Sequence, residues 1–213
     1  MRWSKRLFDI IASFIGLILL SLPLLVVALL IKMSDGGPVL FKQQRIGYRG
    51  RPFTMLKFRT MRVGADSMGP LITVGEDPRI TRIGRWLRKA KIDELPQLIN
   101  VLRGEMSLVG PRPEVPKYVA MYSAEQRQVL NLVPGITDPA SLKYRNESEL
   151  LASAVDPLDL YVNVIMPDKI RINIQYAQTA TLLSDIRFII KTVIAAVFPN
   201  VSDACRRANN LRE

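Results

Sequence analysis

The chain has 213 residues, is 48% hydrophobic and carries a formal charge of +11. That is length enough for one domain plus an appendage, and basic enough to lie against anionic phospholipid or to hold polyphosphates. It has no histidine, which excludes Ser-His-Asp triads, His-ligated zinc and phosphohistidine, and leaves carboxylates, Arg/Lys, hydroxyls, backbone dipoles or a hard cation to carry any catalysis.

The first element is apolar. Between Arg6 and Lys32 the only charge is Asp9, and the run Ile10–Ile31 has none over 22 residues. As a straight helix it would reach about 33 Å, the thickness of a bilayer core, and it is too long for a signal-peptide core. Pro23 sits at its middle, where it removes a helix hydrogen bond, and the Ser21 hydroxyl is close enough to serve a freed carbonyl. Arg2, Lys5 and Arg6 precede the segment, while Lys32, Lys42, Arg45, Arg49 and Arg51 follow it, which favours the cytoplasm for both ends. The expectation is a re-entrant helix-break-helix hairpin; a single anchor with a tolerated proline is the competing reading.

Two short strands are predicted around Gly47-Tyr48-Arg49-Gly50, with Lys57 and Arg59 on one face of the second. "GADSMGPLITVGEDP" reads as a loop. A helix is predicted over about Arg79 to Ala90, with Ile80, Ile83 and Leu87 as its apolar positions. A second begins at Asp93 as N-cap, buries Leu95, Leu98, Ile99 and Leu102, and ends at Gly104. Ser123/Gln126 form a capping box and Asp156-Pro157 a cap-and-first-turn pair. The last helix, "SDIRFIIKTVIAAVF", has an apolar side of Phe188, Ile189, Val193, Ile194 and Val197. It suits the membrane interface or the domain surface. A polar tail follows Pro199 and contains the one cysteine, Cys205, so no internal disulfide can form.

Asp93 and Glu94 stand amid Arg85, Arg88, Lys89, Lys91 and Arg112. An Asp-Glu pair at a helix start ordinarily caps the helix and complements its dipole. Here Arg88, Lys91, Arg112, Lys57 and Arg59 supply more positive charge than two acids require. The surplus suits a diphosphate, with Mg²⁺ bridging carboxylate and phosphate, and an ionised aspartate able to attack phosphorus. The prolines flanking Arg112 stiffen its backbone for phosphate binding.

The segments "KRLFDI", "SLP", "GPVLFKQQRIGYRGRPF", "KFRTM", "DELPQLINVLRGEMSLVGPRP" and "PGIT", in that order, resemble the monotopic phosphoglycosyl transferases of the bacterial sugar transferase family over about residues 4–195. The resemblance implies a helix-rich α+β fold in three parts: a membrane hairpin (1–35), a catalytic domain with a β-hairpin and interfacial amphipathic helices (36–198), and a tail (199–213). It implies Mg²⁺-dependent transfer of a sugar 1-phosphate from a UDP-sugar to a polyprenol phosphate, with UMP released, at the cytoplasmic face of the bacterial inner membrane. Asp93 would be the covalent nucleophile and Glu94, with Asp93, the metal ligand. Arg112, Arg88, Lys57, Arg59 and Arg145 would meet phosphate, and Ser21 and Pro23 would break the hairpin. Phospholipid is an implied partner, downstream glycosyltransferases and a homodimer are allowed, and nucleic acid is not expected. After "PGIT" this chain has "DPASLKYRNESE", where many members have a glycine and an "AQVNGRN"-like run. Sugar identity therefore does not carry over. An inactive scaffold of the same fold and a basic membrane-tethered binding module are the alternatives. The intact dyad and P-R-P argue against the first, and the acidic pair, with no arginine clusters with interleaved aromatics, against the second.

Overall fold

Proline at position 23 has no amide hydrogen, and its ring crowds the carbonyl four residues earlier, that of Leu19. In the computed structural model, which describes residues 3–65, 68–69 and 72–197, helix α1 (Trp3–Leu19) stops at that residue. Helix α2 (Ser21–Asp35) leaves at a bend of 63°. The Ser21 hydroxyl donates to the Ile18 carbonyl at 2.8 Å, satisfying a group freed by the break. Neither helix alone is long and apolar enough to cross a membrane. Outward along the pair, Phe14, Ile18, Leu22, Leu25 and Leu29 are exposed.

The inner side of α1 is tied down by polar groups. Arg6 donates to the carbonyls of Val101 and Leu102 at 2.6 and 3.0 Å, and Lys5 donates to that of Val109 at 2.9 Å. Asp9, fully buried, accepts from the Ser107 hydroxyl at 2.8 Å and from the Leu108 amide at 3.3 Å.

Strands β1 (Leu40–Ile46) and β2 (Pro52–Phe58) pair antiparallel, with Leu40 opposite Phe58 and Ile46 opposite Pro52. The expected turn joins them, with Arg49 at φ 57° and Gly50 at φ 73°. Strands β3 (Ser107–Val109) and β4 (Gly135–Thr137) form a second, parallel pair. Its close approach needs glycine: a Cβ on Gly135 would lie 2.1 Å from the Gly110 nitrogen.

Helix α3 (Arg82–Lys89) is shorter than the sequence pattern implies. Asp77 binds the Arg79 amide and guanidinium in a separate turn, and Thr81 then caps the helix through the Gly84 amide at 2.9 Å. Helix α4 (Gln97–Arg103) ends as expected at Gly104 in the left-handed region. Its most deeply buried residues are Gln97, Asn100 and Val101, whereas Leu95, Ile99 and Leu102 are half-buried. Asn100 explains the difference: its amide bonds the Thr54 carbonyl at 2.8 Å and the Leu56 amide at 3.0 Å, taking the place of a further strand beside β2.

Short helices α5 (Pro116–Val119), α6 (Pro139–Lys143), α7 (Glu147–Ala152) and α8 (Pro157–Leu160) lead through a π-helical turn, Tyr161–Ile165, into α9 (Met166–Thr179). Asp156 caps α8 as expected. The Ser123/Gln126 box forms but opens a 3-10 helix, Gln126–Asn131. Tyr118, Leu151, Tyr161 and Ile165 centre this part of the core, Val27, Ile31, Phe58 and Leu87 centre a second, where the hairpin meets the domain, and Met55, Val101 and Met106 form a third.

In α10 (Leu182–Val197) the side facing the domain carries Asp185, Thr192 and Ala195, while Ile190, Val193 and Ile194 are exposed. The apolar side expected from sequence thus divides, because Asp185 binds Lys5 at 2.5 Å and Thr192 binds Thr137 at 2.6 Å. The Val197 side chain, the tail 199–213 and Cys205 lie outside the described residues. The helix-rich α+β class expected from the sequence is what the structure shows.

Candidate active site

Lys91 takes the left-handed conformation, φ 57°, and turns the chain sharply from α3 into a 3-10 turn, Ile92–Glu94. Asp93 therefore has helical dihedrals inside that turn and makes no N-cap bond, contrary to the sequence pattern. α4 begins only after Pro96. Asp93 is left buried with Oδ1 unpartnered, so its carboxylate is not absorbed by the helix it precedes.

Glu94 is the opposite case. Arg112 grips it with two parallel bonds of 2.9 and 2.7 Å, and the Lys57 ammonium lies 3.7 Å away. Burial pushes Glu94 up, but the charges of Arg112, Lys57 and Lys91 overcome it and hold the carboxyl far below its usual range. Burial also raises Asp93, and the adjacent Glu94 charge adds to it, against Lys57, Lys91 and Arg88. The pair is thus split: Glu94 is held ionised by its paired cations, and Asp93 is the more basic carboxylate, with one oxygen unpaired. Burial drives Lys57 down to about 7, with Arg112 as the next cause, against the pull of Glu94 and Asp93.

The remaining candidates divide. Arg88 bonds the hydroxyls of Thr60 and Thr73 at 2.8 and 3.3 Å, and its charge acts on Asp93. Arg59 is buried and turned towards the hairpin, where it pairs with Asp35, the last residue of α2; its other terminal nitrogen has no partner. Arg145 lies half-buried in the link between α6 and α7. The structure therefore gathers Lys57, Asp93, Glu94 and Arg112, and sets Arg88 beside them.

Residues that sequence reasoning missed hold the Arg112 loop. Arg45 donates to the Pro113 carbonyl at 3.0 Å and to Glu114 Oε1 at 3.2 Å. The Ile46 amide donates to the Glu114 carbonyl at 2.9 Å, and the Tyr161 hydroxyl donates to the Glu114 carboxylate. "QQRIG" was legible only as strand; its partner is 68 positions away. A cleft behind this loop is lined by Gly47, Arg112, Asp138, Ser141, Lys169 and Asn173, so the divergent segment after "PGIT" borders the site. Gln97 is fully buried, and neither end of its amide has a partner.

The whole arrangement can be compared with known proteins. The family model described as bacterial sugar transferase matches residues 1–199. The chain belongs to the bacterial sugar transferases. It is 39% identical over 202 residues to the UDP-glucose:undecaprenyl-phosphate glucose-1-phosphate transferase of Caulobacter vibrioides, covering 89% of this chain and 68% of that one. It is 45% identical over 142 residues to the uncharacterized sugar transferase EpsL of Bacillus subtilis, covering 67% and 69%. With the undecaprenyl-phosphate glucose phosphotransferase of Komagataeibacter xylinus it shares 40% identity over 92% of its own length but spans only 36% of that protein. For this sugar transferase, the Asp93 and Glu94 geometry is the part of the fold from which a reaction can be derived.

Proposed function

We propose that this sugar transferase moves a sugar 1-phosphate from a UDP-sugar to a polyprenol phosphate, undecaprenyl phosphate being the acceptor named for its relatives. UMP is released and a polyprenyl diphosphate sugar is formed, which begins a membrane-bound glycan. The observation that carries this reading is a buried, unpartnered aspartate oxygen next to a glutamate already neutralised by an arginine and a lysine.

In the proposed sequence Asp93 Oδ1 attacks the sugar-bearing phosphorus. The phosphoanhydride P–O bond breaks, UMP leaves with the bonding pair, and an aspartyl phosphosugar remains. A phosphate oxygen of the polyprenol phosphate then attacks the same phosphorus, the aspartyl P–O bond breaks and the Asp93 carboxylate is restored. Arg112 and Lys57 bind the diphosphate oxygens, and Arg88 restrains charge at Asp93. Arg59 and Arg145 take supporting places at the hairpin and at the α6–α7 link.

Mg²⁺ fits this donor set. No cluster of three acidic ligands occurs among the described residues, but Mg²⁺ needs only one or two carboxylates when phosphate oxygens and water complete its shell. Glu94, with Asp93, would hold it, and it would neutralise charge on the diphosphate.

The bent α1–α2 pair, its exposed apolar surface and the cations at both ends support a hairpin seated in the cytoplasmic leaflet. There a soluble nucleotide sugar and a lipid phosphate reach the dyad from one side. The test is UMP release by the purified chain with Mg²⁺ over a panel of UDP-sugars, with and without undecaprenyl phosphate. Catalytic UMP with lipid from one or two donors is expected; no UMP from any donor would refute the reaction.

A further inference from the structure

Helix α3 is pinned by its inner face. Gly84 rests so close to Thr60 that a Cβ there would meet the Thr60 carbonyl oxygen at 2.0 Å. Leu87 is wholly buried among Val27, Ile31 and Phe58, and Arg88 is bonded to Thr60 and Thr73. The helix cannot roll, so the opposite face is fixed outward. That face carries Arg82, Arg85, Trp86 and Lys89, all exposed, and the first turn holds no acid. A tryptophan 55% exposed on a helix held this firmly is out of place in water.

The height of α3 is set by what it touches. Ile31 and Val27 lie about 6 and 12 Å back from the Asp35 end of α2 at the helical rise. On the same stretch of α2, Leu29, Leu30 and Met33 are exposed. On the reading that the hairpin is embedded, on which this inference rests, Leu87 is level with the outermost part of the apolar layer. The face bearing three cations and an indole then lies where headgroups meet acyl chains. Tryptophan favours that boundary, and Lys and Arg are drawn to an anionic surface.

We propose that the outward face of α3 is a docking surface for anionic phospholipid headgroups, with Arg82, Arg85 and Lys89 on lipid phosphates and Trp86 at the boundary beneath them. Arg88 is on the inner side of the same helix, so docking steadies one wall of the candidate active site.

The chain has only two tryptophans, so Trp3→Phe leaves Trp86 as the reporter. The full chain is placed in nanodiscs of equal parts phosphatidylcholine and phosphatidylglycerol, with one lipid brominated at a time. Trp86 fluorescence is expected to be quenched about two-fold more by brominated phosphatidylglycerol, with the difference lost in the Arg82→Gln/Arg85→Gln/Lys89→Gln variant. A second protein, Trp3→Phe/Trp86→Phe/Leu25→Trp, reports on the hairpin. If its indole is quenched and Trp86 is not, α3 faces water or another protein and the proposal is overturned while the hairpin reading stands. Equal quenching by the two lipids, or selectivity that survives the triple variant, overturns it as well. Quenching of neither reporter removes the embedded hairpin and this surface together.

Discussion

Two neighbouring acids differ in surroundings, because only Glu94 is directly paired with cations. Glu94 is locked between Arg112 and Lys57, whereas Asp93 keeps an unpartnered oxygen in a buried turn. Lys57 is charged below about 7 and neutral above it. On the proposed mechanism a charged Lys57 binds diphosphate, so the second-order rate constant for the UDP-sugar should fall as pH rises through about 7. Lys57→Met should remove that limb from the pH–rate profile; an unchanged limb in the variant would assign it elsewhere. Arg45 and Glu114 make a second case at this scale. They fix the backbone beside Arg112, so Arg45→Gln should lower kcat/KM by about ten- to a hundred-fold, the cost of a small misplacement. In an Arg112→Gln background the same change should cost almost nothing further; additive losses would show only a general structural effect. Asp93 and Glu94 were legible in sequence as an acidic pair within a run of cations, and Arg112 by the prolines that flank it. Arg45, Tyr161 and Gln97 were not, since their roles depend on contacts between distant segments or on burial.

Elements with local causes were read well from sequence. The β-hairpin follows from alternation around a glycine-flanked turn, the end of α4 from Gly104, and the helix break from Ser21 and Pro23. Others lacked a local cause. β3 and β4 are three residues each and pair across more than two dozen intervening residues, so no periodicity announces them. The delayed start of α4 depends on the left-handed Lys91, a conformation with no signature at a lysine. The hairpin also supplies a prediction. Ser21→Ala/Pro23→Ala would restore an amide donor to the Leu19 carbonyl and favour one continuous helix. With Trp3→Cys in a Cys205→Ser background, labelling by an impermeant thiol reagent should move from the cytoplasmic to the opposite side of the membrane. Unchanged labelling would mean that the bend does not depend on the proline.

At the scale of the molecule, the hairpin and the domain are one unit. Arg6 ends α4, Lys5 joins α1 to α10 through Asp185, and Asp9 reaches into β3. Asp9→Ala would leave the Leu108 amide without its acceptor and the buried Ser107 hydroxyl with only the longer bond to the Val109 carbonyl, 3.1 Å. It should lower stability by about 2 kcal/mol, read as a drop in Tm in detergent. An unchanged Tm would mean that the clamp is not structural. This rigidity holds Arg59 against Asp35 at the end of α2 while Lys57, two residues earlier, faces Glu94, so the hairpin and the carboxylate pair keep a constant separation. On the proposed mechanism the sugar phosphate waits on Asp93 between the soluble donor and the lipid acceptor. The most direct measurement is the intact mass of the chain after brief exposure to its UDP-sugar without acceptor. The account predicts an added sugar phosphate that maps to Asp93, disappears on adding undecaprenyl phosphate and never forms in Asp93→Asn. Full turnover by Asp93→Asn, or an unmodified wild-type chain that still transfers sugar phosphate to lipid, would contradict it.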